Sequence, residues 1–384
     1  MRIRRATLAM LASLTCVSAV AGAVGQASAA EVAPGAPMRT YLDIPEGDPL
    51  AEAPREVTTM ACTQGIPGTV TLPDGSRKDV MVTAGHCVWG TTETPYETQP
   101  EVYVPLREGD RLVGLREGGR APYAVGSEDD VAGLYRQWID DDWATIELAE
   151  GERPTRVADS VDQFGQSHGE PVVLTGVRDY PDLAPGELAF DNLGQPICKD
   201  GQTTGRSCGI QFMRTGNRLW SVNTMIPGDS GGVNFDPVTG EALGVSTNTF
   251  FGVVGITQGA DVALEETYGI PDGQVNDYFA LPDSTEEHTE MRTFGEDMQA
   301  AYEWVEEQQE ASADPADVAL DTAYDNAEAA VDEVNQWSEA TAQQLVQDPA
   351  NVPALVERTQ ETAENLGTLA QETLDVLDYA SQEA

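Results

Sequence analysis

Positive charge is scarce in this chain. Its 384 residues carry 21 Lys and Arg against 65 Asp and Glu, a formal net charge of −44. A polyanion of this kind is repelled by nucleic acid and by anionic membranes, so neither is expected as a partner. Histidine is scarcer still, with three residues, His86, His168 and His288, far apart in sequence. Of the five cysteines, Cys16 falls in the first thirty residues and the other four are Cys62, Cys87, Cys198 and Cys208. No pair has Cys-x-x-Cys spacing, which argues against a metal site and leaves three ways of forming disulfides. After the first thirty residues no apolar run approaches the length needed to cross a membrane. From Ser284 to Ala384 there is no cysteine and there are only two glycines, Gly295 and Gly367.

These gaps mark out the chain's organisation. Residues 1–29 read as a secretory signal peptide: Arg2, Arg4 and Arg5 precede an apolar stretch from Leu8 to Val24, and Ala27-Ser28-Ala29 supplies a cleavage site. The rest is expected to be secreted, where disulfides form. Residues 30–57, rich in Ala, Pro and Glu, read as a short propeptide or extended arm, with the folded part beginning near Thr58. Residues 58–283 alternate short apolar runs with turns, as in Val70 to Leu72, Val80 to Val82, Glu101 to Val104, Arg111 to Leu115, Ala144 to Leu148, Pro171 to Thr175, Leu219 to Val222, Gly244 to Thr247 and Phe251 to Val254. That rhythm indicates an all-β barrel architecture. Asp261 to Glu266 reads as a closing helix. Residues 284–384 carry three apolar stripes at helical spacing, beginning at Met291, Leu320 and Val352. Asp314-Pro315 and Asp348-Pro349 start two of these helices, and Ser284-x-x-Glu287 offers a capping box for the first. An acidic three-helix domain is expected, joined through the polar stretch Pro282 to His288 and separable after Asp283.

The most informative stretch is Gly228-Asp229-Ser230-Gly231-Gly232. Small residues around a serine permit a sharp turn that holds the hydroxyl clear of its own chain. Two backbone N–H groups of such a turn, those of Gly228 and Ser230, can converge on a developing oxyanion. A serine needs a base and a group to orient that base. His86, in Thr83-Ala84-Gly85-His86-Cys87, and Asp142, in Asp142-Trp143-Ala144-Thr145-Ile146, supply both, with Asp140 and Asp141 as competitors by type. The order His86, Asp142, Ser230 is one of the chain orders in which such a triad occurs.

Together with Cys198-Lys199-Asp200-Gly201, Thr203-Thr204-Gly205 and Cys208-Gly209, these motifs resemble the chymotrypsin-fold serine proteases, in their secreted bacterial branch of the streptogrisin and α-lytic type, over about Thr58 to Asp283. The resemblance implies two six-stranded antiparallel barrels with the triad between them, and disulfides Cys62–Cys87 and Cys198–Cys208. It implies a Ser230 nucleophile, a His86 general base, an orienting Asp142 and an acyl-enzyme route for hydrolysing polypeptides. Asp229 would be paired with Lys199, which stands where relatives more often carry arginine, and Ser246 would lie near Asp142. Thr224 and Met225 would line the specificity pocket. Thr224 in place of an acid argues against a basic substrate residue, and Met225 favours cleavage after an apolar one. No cofactor or metal is expected. His168 reads as a polar loop residue and His288 as part of a solvated helix face. The acidic groups Glu128-Asp129-Asp130 and Asp179/Asp182 lack the spaced loop of a calcium site and read as solvated turns. Two roles stay open for the tail: a solubilising domain, or docking to a protein partner or to the protease itself. A catalytically silent protein that binds through its cleft or tail is the alternative to an enzyme.

Overall fold

The structure is a computed structural model that describes residues 30–91, 95–122, 140–184, 186–250, 252–309, 315–347 and 352–383. Residues 1–29, Glu128-Asp129-Asp130, Asp314 and Asp348-Pro349 lie outside them. In the first half the strands are β1 (Pro37–Tyr41), β2 (Thr59–Thr63), β3 (Ile66–Thr71), β4 (Arg77–Thr83), β5 (Glu101–Leu106), β6 (Gly109–Arg120) and β7 (Trp143–Leu148). Then come four two-residue strands, β8 (Val157–Ala158), β9 (Val172–Val173), β10 (Gly176–Val177) and β11 (Leu188–Ala189). The second half holds β12 (Pro196–Gly201), β13 (Gly205–Thr215), β14 (Arg218–Val222), β15 (Val233–Phe235), β16 (Glu241–Phe250) and β17 (Val254–Gly259), with β18 (Phe279–Ala280) after the closing helix Ala260–Tyr268.

The second half closes on itself. The ladders β12–β13–β14–β17–β16–β15 return to β12, a six-stranded antiparallel barrel without a free edge. The first half forms a sheet in the order β18–β3–β4–β7–β6–β5–β1–β2. It has eight strands rather than six because β1 and β18 join it from outside the expected set. Two β units followed by helices make up the architecture that the resemblance implies. One buried apolar cluster spans both: Ile66, Val82 and Trp143 of the first unit pack with Val233, Phe235 and Val245 of the second and with Ala260, Val262, Ala263 and Leu264 of the closing helix.

Several segments differ from their sequence-based expectation. The fold includes residues ahead of Thr58: residues 30–42 are buried, and β1 pairs with β2 from Pro37↔Thr63 to Tyr41↔Thr59. Their small side chains suit a crowded site as well as a flexible arm, and composition does not distinguish the two. The last strand runs over Val254–Gly259 instead of Phe251 to Val254, because Gly252, at φ +67°, takes part in the reversal between β16 and β17. Pro171 to Thr175 contributes only the two residues of β9.

The tail differs most. Residues 284–293 are extended and bonded to the first sheet: Ala30 N–H donates to Glu287 O (2.8 Å), Thr289 N–H to Ala30 O (2.7 Å) and Arg292 N–H to Pro105 O (2.8 Å). Met291 bridges to Leu106 and is buried in the core of the first unit, so it does not belong to a helix stripe. His288 lies on this extended segment, not on a solvated helix face, with Nε2 2.8 Å from Val157 O, and burial lowers its pKa. The first tail helix spans Phe294–Gln309, and its capping box is Thr293-x-x-Glu296, not Ser284-x-x-Glu287. Thr293 N–H donates to Glu296 Oε2 (2.7 Å) and Glu296 N–H to Thr293 Oγ1 (3.2 Å). The long helices Pro315–Gln347 and Val352–Glu383 pack chiefly on each other, while the first helix meets them at Tyr302–Tyr324, with ring centroids 4.2 Å apart. No helix among the described residues is long and apolar enough to cross a membrane.

Candidate active site

Strand pairing brings His86 and Asp142 together. In the antiparallel ladder of β4 and β7, Thr83 faces Ala144, so the residues just after β4 and just before β7 emerge at one edge. His86 opens the short helix His86–Trp89 there. Asp142 Oδ2 lies 2.7 Å from His86 Nδ1, and its Oδ1 accepts the His86 backbone N–H at 2.9 Å. One buried carboxylate thus fixes both the ring and the peptide of the histidine. The approach needs Gly85, where a Cβ would come within 1.9 Å of Arg120 O and 2.9 Å of Asp142 Oδ1. With Nδ1 facing the carboxylate, Nε2 is the ring nitrogen on the side away from Asp142. Asp141 turns elsewhere and accepts from Asn217 Nδ2 at 3.3 Å.

The disulfide Cys62–Cys87 ties β2 to the helix that starts at His86, and Cys198–Cys208 crosses the β12–β13 hairpin. Cys62, His86 and Cys87 crowd together, but the two sulfurs bond to each other, so they are not thiolate ligands for a metal.

Ser230 precedes β15 on the other unit. Its turn is held on all sides by backbone: Gly231 N–H donates to Ser246 O (2.7 Å), Thr63 N–H to Ser230 O (2.8 Å) and Gly232 N–H to Asp229 O (3.1 Å). Gly228 and Gly231 have φ values of +93° and +82°, which favour glycine. The Gly228 carbonyl is drawn away from the serine by Thr63 Oγ1 (2.8 Å) and Gln202 Nε2 (3.2 Å). Among the described residues the N–H groups of Gly228 and Ser230 donate to no protein acceptor.

Beneath the turn, Asp229 is fully buried and receives five donors. Lys199 Nζ lies 2.8 Å from its Oδ2, Thr204 Oγ1 donates to it at 2.7 Å, and the N–H groups of Thr203, Thr204 and Ile226 complete the set. Lys199 is equally buried and also donates to Gly205 O at 3.0 Å. Removing one partner of such a pair strands the other charge without water. Lys199→Met should therefore destabilise the fold by about 3 to 5 kcal/mol. Lys199→Met combined with Asp229→Asn should cost less than the sum of the two single changes, as denaturant midpoints would show. Additive losses would mean that the pair does not act as one.

His86 and Ser230 line one open cleft of about 320 Å³. Met225, Ile226 and Pro227 line it, as do Thr247, Asn248 and Thr249, and His86 is its only ionisable side chain among the described residues. Gly255 makes room for Met225, since a Cβ there would meet Met225 Cε at 2.7 Å. Thr224 is buried but does not line the cleft; its carbonyl accepts from Ser207 Oγ at 2.8 Å.

Ser246 lines the cleft with His86 and Ser230, its Oγ accepts from Asn234 Nδ2 on β15 at 2.9 Å, and among the described residues no hydrogen bond joins it to Asp142. Asp142 is steadied instead by a residue that no sequence motif marks: Asp142 N–H donates to Gln258 Oε1 at 3.0 Å, and Gln258 sits on β17 of the second unit. A strand-period count from the barrel pattern places Gln258 on the same face as Ile256 but carries no sign of its partner. His168 is a loop residue, with Nε2 2.7 Å from Asp162 Oδ2.

No family model and no curated protein matches the chain. Solved structures do. The chain is similar to a Nocardiopsis protease at 17% identity and TM-score 0.36, over 62% of this chain and 97% of that one. It is similar to Thermobifida fusca protease A at 19% identity and TM-score 0.34, over 62% and 96% of the two chains. A Cellulomonas bogoriensis chymotrypsin matches at 17% identity and TM-score 0.33, over 66% and 100%.

Proposed function

We propose that the chain is a secreted serine endopeptidase. The observation that carries the reading is the buried Asp142 carboxylate 2.7 Å from His86 Nδ1, on a histidine that shares its cleft with Ser230. In this mechanism Ser230 Oγ attacks the scissile carbonyl carbon while His86 Nε2 takes the hydroxyl proton. The carbonyl oxygen becomes an oxyanion, held by the Gly228 and Ser230 N–H groups. Asp142 keeps the proton on Nδ1 and stabilises the imidazolium as it forms. The tetrahedral species collapses, His86 gives its proton to the leaving amine, and an ester to Ser230 remains. Water then attacks that ester by the same steps in reverse order, with His86 again as base, releasing the acid and the free serine.

Cleavage follows an uncharged, apolar residue. In a chain with 65 acids, a cleft whose only ionisable side chain among the described residues is the proposed base offers no partner for a charged substrate residue. Met225, Ile226 and Pro227 supply apolar surface, so peptides cut from a mixed proteome should end mainly in apolar residues.

The test is covalent labelling. A fluorophosphonate should modify Ser230 and no other serine. Its rate should fall in acid, since a base that has taken up a proton cannot accept one from Ser230. Protein that is folded but not labelled would overturn the reading in favour of a silent binding scaffold. A labelling rate that does not fall in acid would exclude His86 as the base.

A further inference from the structure

Away from the cleft, three acids from separate segments converge. Asp179 follows β10, Glu265 lies in the closing helix Ala260–Tyr268, and Asp272 lies in the turn after that helix. One carboxylate oxygen from each falls within 4.8 Å of the other two. We propose that Asp179, Glu265 and Asp272 form a binding site for a hard divalent cation, with calcium as the ion that fits.

Two independent observations support it. The first is geometric. One cation can join oxygens no farther apart than twice its bond length, about 4.6 to 5.2 Å for calcium. The three oxygens meet that limit without rearrangement. Asp179 is held for the purpose: its Oδ1 accepts the Gly273 N–H at 3.1 Å and its Oδ2 the Val275 N–H at 2.8 Å, which fixes the turn carrying Asp272. Carboxylate oxygens keep further lone pairs for an ion. Asp272 is exposed, so water can complete the six to eight ligands that calcium takes.

The second is an unmet need. Glu265 is 9% exposed, and its Oε1 has no hydrogen-bond partner among the described residues. A buried carboxylate oxygen without a donor is costly, and a cation would satisfy it. Arg178 and Arg214, on neighbouring segments, are each committed to acids elsewhere, Arg178 to Asp236 and Glu241 and Arg214 to Asp191. The reading of Asp179 as part of a solvated turn overlooked Glu265 and Asp272, which lie far along the chain.

A cation here would staple the closing helix to the second barrel, and Ala260, Val262, Ala263 and Leu264 of that helix belong to the core shared by both units. The experiment uses the full chain carrying Ser230→Ala, which removes self-cleavage, first freed of cations with a chelator. Added calcium should raise Tm by about 3 to 10 °C, with half the effect reached in the range of about 0.1 to 1 mM common to extracellular sites. Glu265→Gln should abolish the rise. Asp272→Asn, at an exposed position where the change leaves the core untouched, should abolish it too. No rise in the parent protein would overturn the proposal. So would an equal rise in parent and both variants, since calcium would then only be screening a chain of net charge −44.

Discussion

Ser230→Ala should lower the turnover of a peptide ester by about four to six decades, and His86→Ala by a similar amount. That range corresponds to about 5 to 8 kcal/mol of lost transition-state stabilisation. The two residues act in one proton transfer, so the double variant should be little slower than either single one. Multiplying losses would mean that they contribute separately and would sink the mechanism. Asp142→Asn tests the third member. Asp142 accepts the His86 N–H at Oδ1 and faces Nδ1 with Oδ2. An asparagine that keeps the first bond turns its NH2 group toward Nδ1 and favours the tautomer with its proton on Nε2. A ring in that state cannot take the serine proton, and the loss should be about four decades with the fold intact. Gln258→Ala should act more mildly, because Gln258 holds the Asp142 backbone and leaves the carboxylate in place.

The parts of this site that could be read from the sequence are those whose chemistry is local. Gly228 and Gly231 adopt positive φ around Ser230, a requirement that glycine announces by itself. His86 and Asp142 each adjoin an apolar strand, and strand alternation is visible over a few residues. What could not be read depends on partners distant in the chain. Arg39 sits in a stretch of Ala, Pro and Glu, yet it is 1% exposed because Asp297 meets it from the tail. Met291 matches a helix stripe, but the first unit has a vacancy that it fills as an extended residue. The capping-box pattern occurs twice, at Ser284 and at Thr293, and only the sheet contacts of residues 284–293 decide for Thr293.

Those contacts change what truncation should do. Composition alone favours a cut after Asp283 that leaves the β units intact. We expect instead that this cut abolishes folding. It removes Asp297, whose Oδ2 accepts from Arg39 Nε at 2.8 Å, and leaves a guanidinium buried with its charge unpaired. Breaking such a pair costs about 3 to 5 kcal/mol. It also removes Met291 from the first core, about 2 to 5 kcal/mol more if the loss resembles a methionine truncated to alanine. Together these approach the whole stability of an ordinary domain, about 5 to 15 kcal/mol. The damage also reaches the nucleophile turn. Arg39 Nη1 donates to Gln202 Oε1 at 2.7 Å, and Gln202 Nε2 donates to the Gly228 carbonyl at 3.2 Å. The tail helix is thus two side chains away from the proposed oxyanion hole. A cut after Gln309 keeps Asp297, Arg292, Met291 and the Thr293–Glu296 capping box, and loses only the long helical pair. That protein should fold, melt within a few degrees of the full chain and hydrolyse a small ester within a few-fold of it. Asp297→Asn in the full chain isolates the ion pair from the rest of the tail. It should lower the denaturant midpoint and slow ester turnover, whereas Glu290→Gln, at an exposed position on the same segment, should do neither. A chain stopped after Asp283 that is secreted, folded and fully active would show that the Arg39–Asp297 pair contributes nothing to holding the turn.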